Sequence, residues 1–446
     1  MAKFIQNIVD EIIDQYLFAD TSLRPWIIGF SGGKDSTVML QLVWKALKDI
    51  QKLGIATRRD VYVVCNDTMV ENPVITEYVY RVLDKIETAA RDEGLPINVR
   101  KTIPRLEDSF WVNLIGKGYP APNNAFRWCT ERLKIKPTSR FIVEQVDEFG
   151  EAVILIGTRS SESANRAKSM KKHALKGKRL TKHPNQPNTY MYAPIRHLRL
   201  EEVWYVINTM PSPWGASNEE LFQIYSDASA DDYECPTVVT DKEHKSCGQS
   251  RFGCWVCTVV KQDKSMTALI ENGLTWLKPL LNLRNELAEE RNIIENRMPQ
   301  RRNGTNAVNG MGPYYPWYRA SVLERLLKAQ KKVQNEKPHL ELITNQELVA
   351  IQTIWYRDFI FDQKISEIYH NAYKTDLDMK DHNEKKEKEL ELLKKSCQGN
   401  PDDFELIQEL LTLQKNKSLL NRKRGLKDDI ETRIEEYLKK EQKDVH

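Results

Sequence analysis

The strongest constraint in this sequence is an alternation. Trp26–Phe30 (WIIGF) is a short apolar run suited to a buried strand, and the glycine-bearing string SGGKDS follows it at once. Val38, Met39, Leu42, Val43, Ala46 and Leu47 then recur at helical spacing. VYVVC at 61–65 reads as a second strand, and Val74, Ile75, Tyr78, Val79, Leu83 and Ile86 mark a second amphipathic helix. INVR at 97–100 is a weaker strand and AVILIG at 152–157 a strong one. Strands alternating with helices of this length imply right-handed βαβ crossovers. The expected fold is therefore α/β: a parallel sheet with flanking helices.

Beyond about residue 210 the pattern changes. PSPWG at 211–215 is turn-rich, four cysteines fall between 231 and 260, and RRNGTNAVNGMGPYYPWYR at 301–319 is irregular. From about 320 the chain is helical and highly charged, without a sustained heptad stripe. Three regions are expected: 1–210 as the sheet domain, 211–330 as a cysteine-bearing substrate region, and 331–446 as a charged helical extension. The 446 residues are enough for two or three domains. No apolar run approaches a bilayer span, so no membrane partner is expected. The first residues, MAKFIQNIVDEIIDQYLF, mix acids with apolar residues as an amphipathic helix does, unlike a signal peptide; a cytoplasmic protein is expected. The net charge of +4 permits a nucleic-acid partner without indicating one. Seven cysteines, unevenly placed in a long chain, point to metal or redox chemistry rather than a disulfide scaffold.

Ser31-Gly32-Gly33-Lys34-Asp35-Ser36 lies between a strand and a helix. Glycines there let backbone N–H groups approach an anion, and the helix N-terminus adds positive partial charge. A Walker A loop would need a glycine where Ile28 stands and a Ser or Thr where Asp35 stands, so a kinase-like or GTPase-like reading is disfavoured. The string resembles instead the SGGxDS loop of the PP-loop ATP pyrophosphatase superfamily, which implies binding of ATP with Mg2+ and release of pyrophosphate. Gly157-Thr158-Arg159-Ser160-Ser161-Glu162-Ser163-Ala164-Asn165-Arg166 is similar to the GxRxxESxxR segment of the PAPS reductase branch of that superfamily, and Tyr192-Ala193-Pro194-Ile195 and Trp204 match it more loosely. The resemblance assigns Ser31 through Ser36, Gly157, Arg159, Glu162 and Arg166 to the nucleotide, with Lys34, Asp35 and Arg159 catalytic. Asp67, at the end of VYVVC, is placed either on the adenosine or in a simple Asx turn.

Cys247, Cys254 and Cys257 fall within CGQSRFGCWVC. A fourth ligand would come from Cys65, Cys129, Cys235 or Cys397. Cys65 sits in a strand and Cys397 in the charged tail, whereas Cys129 lies in RWCTERLK and Cys235 precedes a proline. The spacing admits an iron–sulfur cluster, zinc or unligated thiols, and a lone CxxC favours the cluster over a zinc ribbon. Taken together, the PP-loop, RWCTERLK, CGQSRFGCWVC and RRNG…GPYYPWYR resemble the DndC family of ATP-dependent sulfurtransferases in bacterial DNA phosphorothioation. That resemblance runs from about residue 20 to 330. It implies a [4Fe–4S] cluster on Cys129, Cys247, Cys254 and Cys257, DNA as substrate, a cysteine desulfurase as sulfur source, and other subunits of the modification complex as partners.

From Arg159 to Lys182 nine Lys or Arg face one acid, Glu162, a net +8 over 24 residues. Such a run either cradles DNA phosphates or forms a solvated face; Lys171, Lys172, Lys178 and Arg179 are its DNA candidates. Competing functional readings are a sulfonucleotide reductase, a tRNA thiolase and a non-enzymatic nucleotide-binding scaffold.

Overall fold

The computed structural model describes residues 2–18, 23–160, 179–227, 253–302, 304–377 and 391–397, with scattered positions beyond 399. Its centre is a six-stranded sheet in the order β3-β2-β1-β4-β6-β5. The strands are β1 (Trp26–Gly29), β2 (Val61–Asn66), β3 (Ile97–Thr102), β4 (Ala152–Leu155), β5 (Thr181–Lys182) and β6 (Thr189–Tyr192). Five of them run parallel, and only the edge strand β5 is antiparallel. The register pairs Trp26 with Val61 on one side of β1 and with Val153 on the other.

Both faces of the sheet are covered, as parallel sheets require. Alternate residues take opposite sides: Trp26, Ile28, Val61, Val63, Val153 and Leu155 join the larger core, while Ile27, Val64, Ala152 and Ile154 join a smaller one. The larger face carries α1 (Lys3–Leu17), α2 (Lys34–Lys52) and α3 (Pro73–Asp92). Helix α3 begins where it does because the Asn72 side chain accepts the Val74 N–H at 3.1 Å and Pro73 fits the first helical position. The smaller face is closed by α4 (Lys136–Phe149), through Ile142 and its neighbours.

The strand order reverses on either side of β1. β2 and β3 lie to one side and β4 to the other, so the crevice between the carboxyl ends of β1 and β4 is the topological switch point, where ligands of open α/β sheets bind. The glycine loop follows β1, and Gly157–Arg159 follow β4. The sequence motifs therefore fall on the two strands that flank the crevice.

Between β3 and α4 the chain makes an excursion, with π-helical turns at Val112–Gly116 and Thr130–Ile135. A second core forms around it. Phe110, Trp111, Leu114 and Trp128 pack with Trp255 and Val256, then with α7 (Lys264–Glu271), α8 (Lys278–Glu290), α9 (Pro316–Gln334), α10 (Asn345–Arg357) and α11 (Ile365–Tyr373). The Trp111 indole N–H donates to the Leu342 carbonyl at 2.7 Å, and that of Trp355 to Ile115 at 3.0 Å. Helices α10 and α11, within the expected charged extension, thus share a core with the cysteine region. The remaining helices, α5 (Leu200–Thr209) and α6 (Asn218–Asp227), follow the sheet and contribute Val203, Val206 and Tyr225 to its larger core. Among the described residues no helix is long and apolar enough to cross a membrane.

Candidate active site and cysteine centre

The loop after β1 is tightly folded. Ser36 Oγ donates to the Gly33 carbonyl at 2.9 Å, and Gly33 N–H donates to Ser31 Oγ at 3.3 Å. Gly32 has φ +77°, and a Cβ there would sit 2.7 Å from Val79 Cγ2 on α3, so only glycine fits the turn. At Gly157 the pressure is contact instead: a Cβ there would lie 3.1 Å from the Asp35 backbone carbonyl and would push the two backbones apart by a few tenths of an ångström. The two motifs, more than a hundred residues apart, pack backbone to backbone.

Charge follows the same geometry. Arg159 Nε donates to Asp35 Oδ1 at 2.7 Å, and Lys34 Nζ lies 3.2 Å from Asp35 Oδ2. All three side chains are buried. One carboxylate thus holds two cations beneath the loop, where an unpaired charge would cost several kcal/mol. The Lys34 backbone N–H donates to the Tyr225 hydroxyl at 3.1 Å, and the Lys34 ammonium lies 5.2 Å from that ring's centre. Thr158 Oγ1 is buried beside the crevice with no partner among the described residues. Tyr225 and Thr158 were not singled out by sequence; nothing local marks a tyrosine brought in from a helix 191 positions away.

Asp67 takes the Asx geometry. Its Oδ1 accepts Met69 N–H at 2.7 Å, its Oδ2 accepts the Tyr80 hydroxyl, and Met69 has φ +66°. That turn aims the chain past β2 toward the cysteines. Trp255 N–H donates to the Val70 carbonyl at 3.0 Å, Asn72 N–H to Gly253 at 3.2 Å, and Glu71 bridges Cys254. Thr68 Oγ1 lies 3.4 Å from Cys254 Sγ. The CxxC segment is therefore an added antiparallel stretch along the continuation of β2, at the same sheet edge as the glycine loop.

Cys129, Cys254 and Cys257 line one small cavity with Arg127, Lys134 and apolar side chains. Burial pushes the Cys254 thiol well up, against the pull of Lys134. Burial likewise pushes Glu71 up to about 7, again opposed by Lys134 and reinforced by Asp67. Arg127 Nε and Nη1 are buried with no hydrogen-bond partner among the described residues. Three soft donors, a buried lysine and a guanidinium that is held through Nη2 on Asn124 Oδ1 at 2.6 Å and leaves Nε and Nη1 unpartnered suit an anionic thiolate-ligated cluster, which the cations would stabilise. The void measures about 30 Å³, so the fit rests on donor set and charge. Among the described residues no three His, Cys, Asp or Glu side chains are placed to share a single metal ion. Cys247 and Cys235 lie outside the described residues; Cys65 is buried in β2 and Cys397 is buried far along the chain.

Glu162, Arg166, Lys171, Lys172 and Lys178 also lie outside the described residues. Arg179 is described, and its guanidinium pairs with Asp14 of α1.

An uncharacterized protein of Methanocaldococcus jannaschii is 27% identical over 272 residues, which are 61% of this chain and 44% of that protein. The chain thus spans less than half the length of that relative. Among solved structures, a phosphoadenylyl-sulfate reductase from Candida auris is similar at 15% identity and TM-score 0.30, covering 50% of this chain and 92% of the reductase. A U34-tRNA thiolase from Methanococcus maripaludis, solved with its [4Fe–4S] cluster, is 17% identical with TM-score 0.26, covering 50% of this chain and 73% of the thiolase. The phosphoadenosine phosphosulfate reductase domain matches residues 25–260, more than half of the sequence, and the chain belongs to that family.

Proposed function

We propose that this protein is an ATP-dependent sulfurtransferase acting on a phosphate of the DNA backbone. The observation that carries the reading is the attachment of Cys254 to the continuation of β2, which sets a thiol centre at the sheet edge that holds the glycine loop. The second core and the three-thiol cavity built on the continuation of β2 favour this reading over a reductase of a small sulfonucleotide.

In this mechanism Ser31–Ser36 hold the β- and γ-phosphates of ATP with Mg2+, and Arg159, fixed by Asp35, neutralises charge developing on the α-phosphate. A non-bridging DNA phosphate oxygen attacks the α-phosphorus. The bond from that phosphorus to the β-phosphate oxygen breaks, and pyrophosphate leaves through the loop. A sulfur nucleophile then attacks the DNA phosphorus, and AMP departs with the original oxygen. Cys129, Cys247, Cys254 and Cys257 would hold a [4Fe–4S] cluster, whose iron, when bound, supplies soft Lewis acidity toward sulfur. Arg127 and Lys134 hold the thiol centre's negative charge, and its apolar walls exclude water. A cysteine desulfurase is the sulfur source, other subunits of the modification complex are the partners, and the 159–182 run, with Lys171, Lys172, Lys178 and Arg179, draws DNA in.

Anaerobically purified protein should release pyrophosphate from ATP in the presence of DNA, sulfur donor and partner subunits. The Asp35→Asn and Ser31→Ala variants should lose at least about 100-fold of that rate while Ser31→Ala keeps its fold by circular dichroism. Reduction of a sulfonucleotide by a thiol donor, without pyrophosphate release, would sink the proposal.

A further inference from the structure

Beside the thiol cavity, and outside the nucleotide crevice, lies a cleft of about 730 Å³. Four arginines line it, Arg291, Arg297, Arg301 and Arg302, and no carboxylate does. Its size is that of a pocket for one nucleotide-sized ligand.

The cleft is built, not incidental. Arg297 is buried and donates to the carbonyls of Gly312 at 2.6 Å, Arg291 at 3.0 Å and Met311 at 2.9 Å. These bonds, with the bridges Arg297–Tyr314 and Gln300–Asn306, clamp the 297–314 hairpin into one wall. Arg302 is braced on the Lys117 carbonyl at 2.9 Å and on Asp358 at 2.8 Å. Arg301, next to it, is exposed, and its side chain makes no hydrogen bond or ion pair among the described residues. The lining also includes two rings, Tyr119 and Phe126. Asn123 Oδ1 accepts the N–H groups of Ala125 and Phe126 at 2.9 and 2.8 Å, fixing the loop that holds Phe126, 45% exposed, beside Tyr119 with ring centres 6.2 Å apart.

The same loop is the partition to the thiols. Pro122 and Arg127 face the cysteine cavity, Asn123 and Phe126 the cleft. Arg291 crosses between them: its Nη1 donates to the carbonyls of Pro122 and Thr258, while its Nε is buried with no partner among the described residues. Guanidinium groups and an exposed ring lining one cleft are the two halves of nucleotide recognition in single strands, phosphate by charge and base by stacking.

We propose that this cleft seats one unpaired nucleotide of a polynucleotide strand, its phosphate on Arg301 and its base on Phe126, one wall away from the cysteines. The inference rests on the nucleic-acid reading above and adds the place where the strand enters. The chemistry is common to DNA and RNA. The test is fluorescence anisotropy with the full-length chain and labelled single-stranded DNA and RNA oligonucleotides of one sequence, over graded salt, without ATP. Arg301→Ala should flatten the slope of log affinity against log salt by about one contact. Phe126→Ala should weaken binding at least about fivefold and leave the slope alone. Wild-type affinity and slope in both variants would overturn the cleft while leaving DNA sulfur transfer standing. Displacement of the oligonucleotide by AMP at equal concentration would also overturn it, showing a mononucleotide pocket. Binding of RNA alone, lost in the variants, would support the cleft and overturn DNA as the acceptor. A wild-type chain that binds neither oligonucleotide would overturn both.

Discussion

At the scale of single residues, the nucleotide crevice has a competitor built into it. The backbone N–H of Lys34 belongs to the donors a phosphate would use, and the Tyr225 hydroxyl already accepts it. A bound polyphosphate must displace that hydroxyl. Tyr225→Phe removes the acceptor and keeps the ring against the Lys34 ammonium, so ATP should bind more tightly by up to about fivefold, the worth of one neutral hydrogen bond. Calorimetric titration with a non-hydrolysable ATP analogue checks the direction, and weaker binding would mean the hydroxyl contacts nucleotide instead. Ser31–Ser36 were legible in the sequence because strand-to-helix turn chemistry is local, and Gly157–Arg159 because a motif string follows a strong strand run directly. Tyr225 was not, since only the folded sheet brings its helix over the loop. Asp67 forms the Asx turn that local chemistry allows, with Oδ1 engaged by Met69 and Oδ2 by Tyr80.

At the scale of elements, four of the six strands were readable because β-branched runs and amphipathic helices each carry their own period, whereas the short β5 and β6 were not read. The excursion between β3 and α4 has no such period. Its π-helical turns bury Val112 through Gly116 on all sides, so neither alternation nor a helical stripe survives in the sequence. Lys117 closes the first of these turns. Its ammonium donates to Asn113 Oδ1 at 3.1 Å and to the Glu107 carbonyl, yet burial, with Arg132 nearby, holds its pKa down at about 8 from the usual 10.5. The unfolded chain therefore binds the proton more tightly, and this site's contribution to stability rises with pH between about 8 and 10.5 and is flat below. Subtracting urea-unfolding free energies of Lys117→Met from those of the wild type should reveal that rise. Partial exposure keeps it near 1 kcal/mol. A difference independent of pH across that window would show that the ammonium is as well solvated folded as unfolded.

At the scale of the whole molecule, the chain is organised by two large cores rather than by the order of its segments. The first holds the sheet and its larger helical face. The second draws on the excursion before α4, the CxxC segment and helices as late as α11. Composition sees only a charged stretch after residue 330, because each of those helices buries a narrow stripe and exposes the rest. Yet Leu342, Ile343, Leu348, Ile351 and Trp355 are all buried there, and Trp355 is wholly enclosed. Losing one such tryptophan costs about 3–5 kcal/mol, a large share of the 5–15 kcal/mol that holds a typical domain. Ending the chain at residue 377 leaves this set intact; ending it at 335 removes all five and strips Trp111 of its Leu342 acceptor. The 377-residue chain should melt within about 2 °C of the full chain, since it deletes none of this core. The shorter one should lose the near-ultraviolet signal of the tryptophans in the second core while far-ultraviolet signal from the sheet half persists. If the 335-residue chain kept native tryptophan signal and a single cooperative melt, the late helices would be an appendage, and the wall behind the cysteines would have to be supported by the excursion and α7–α9 alone.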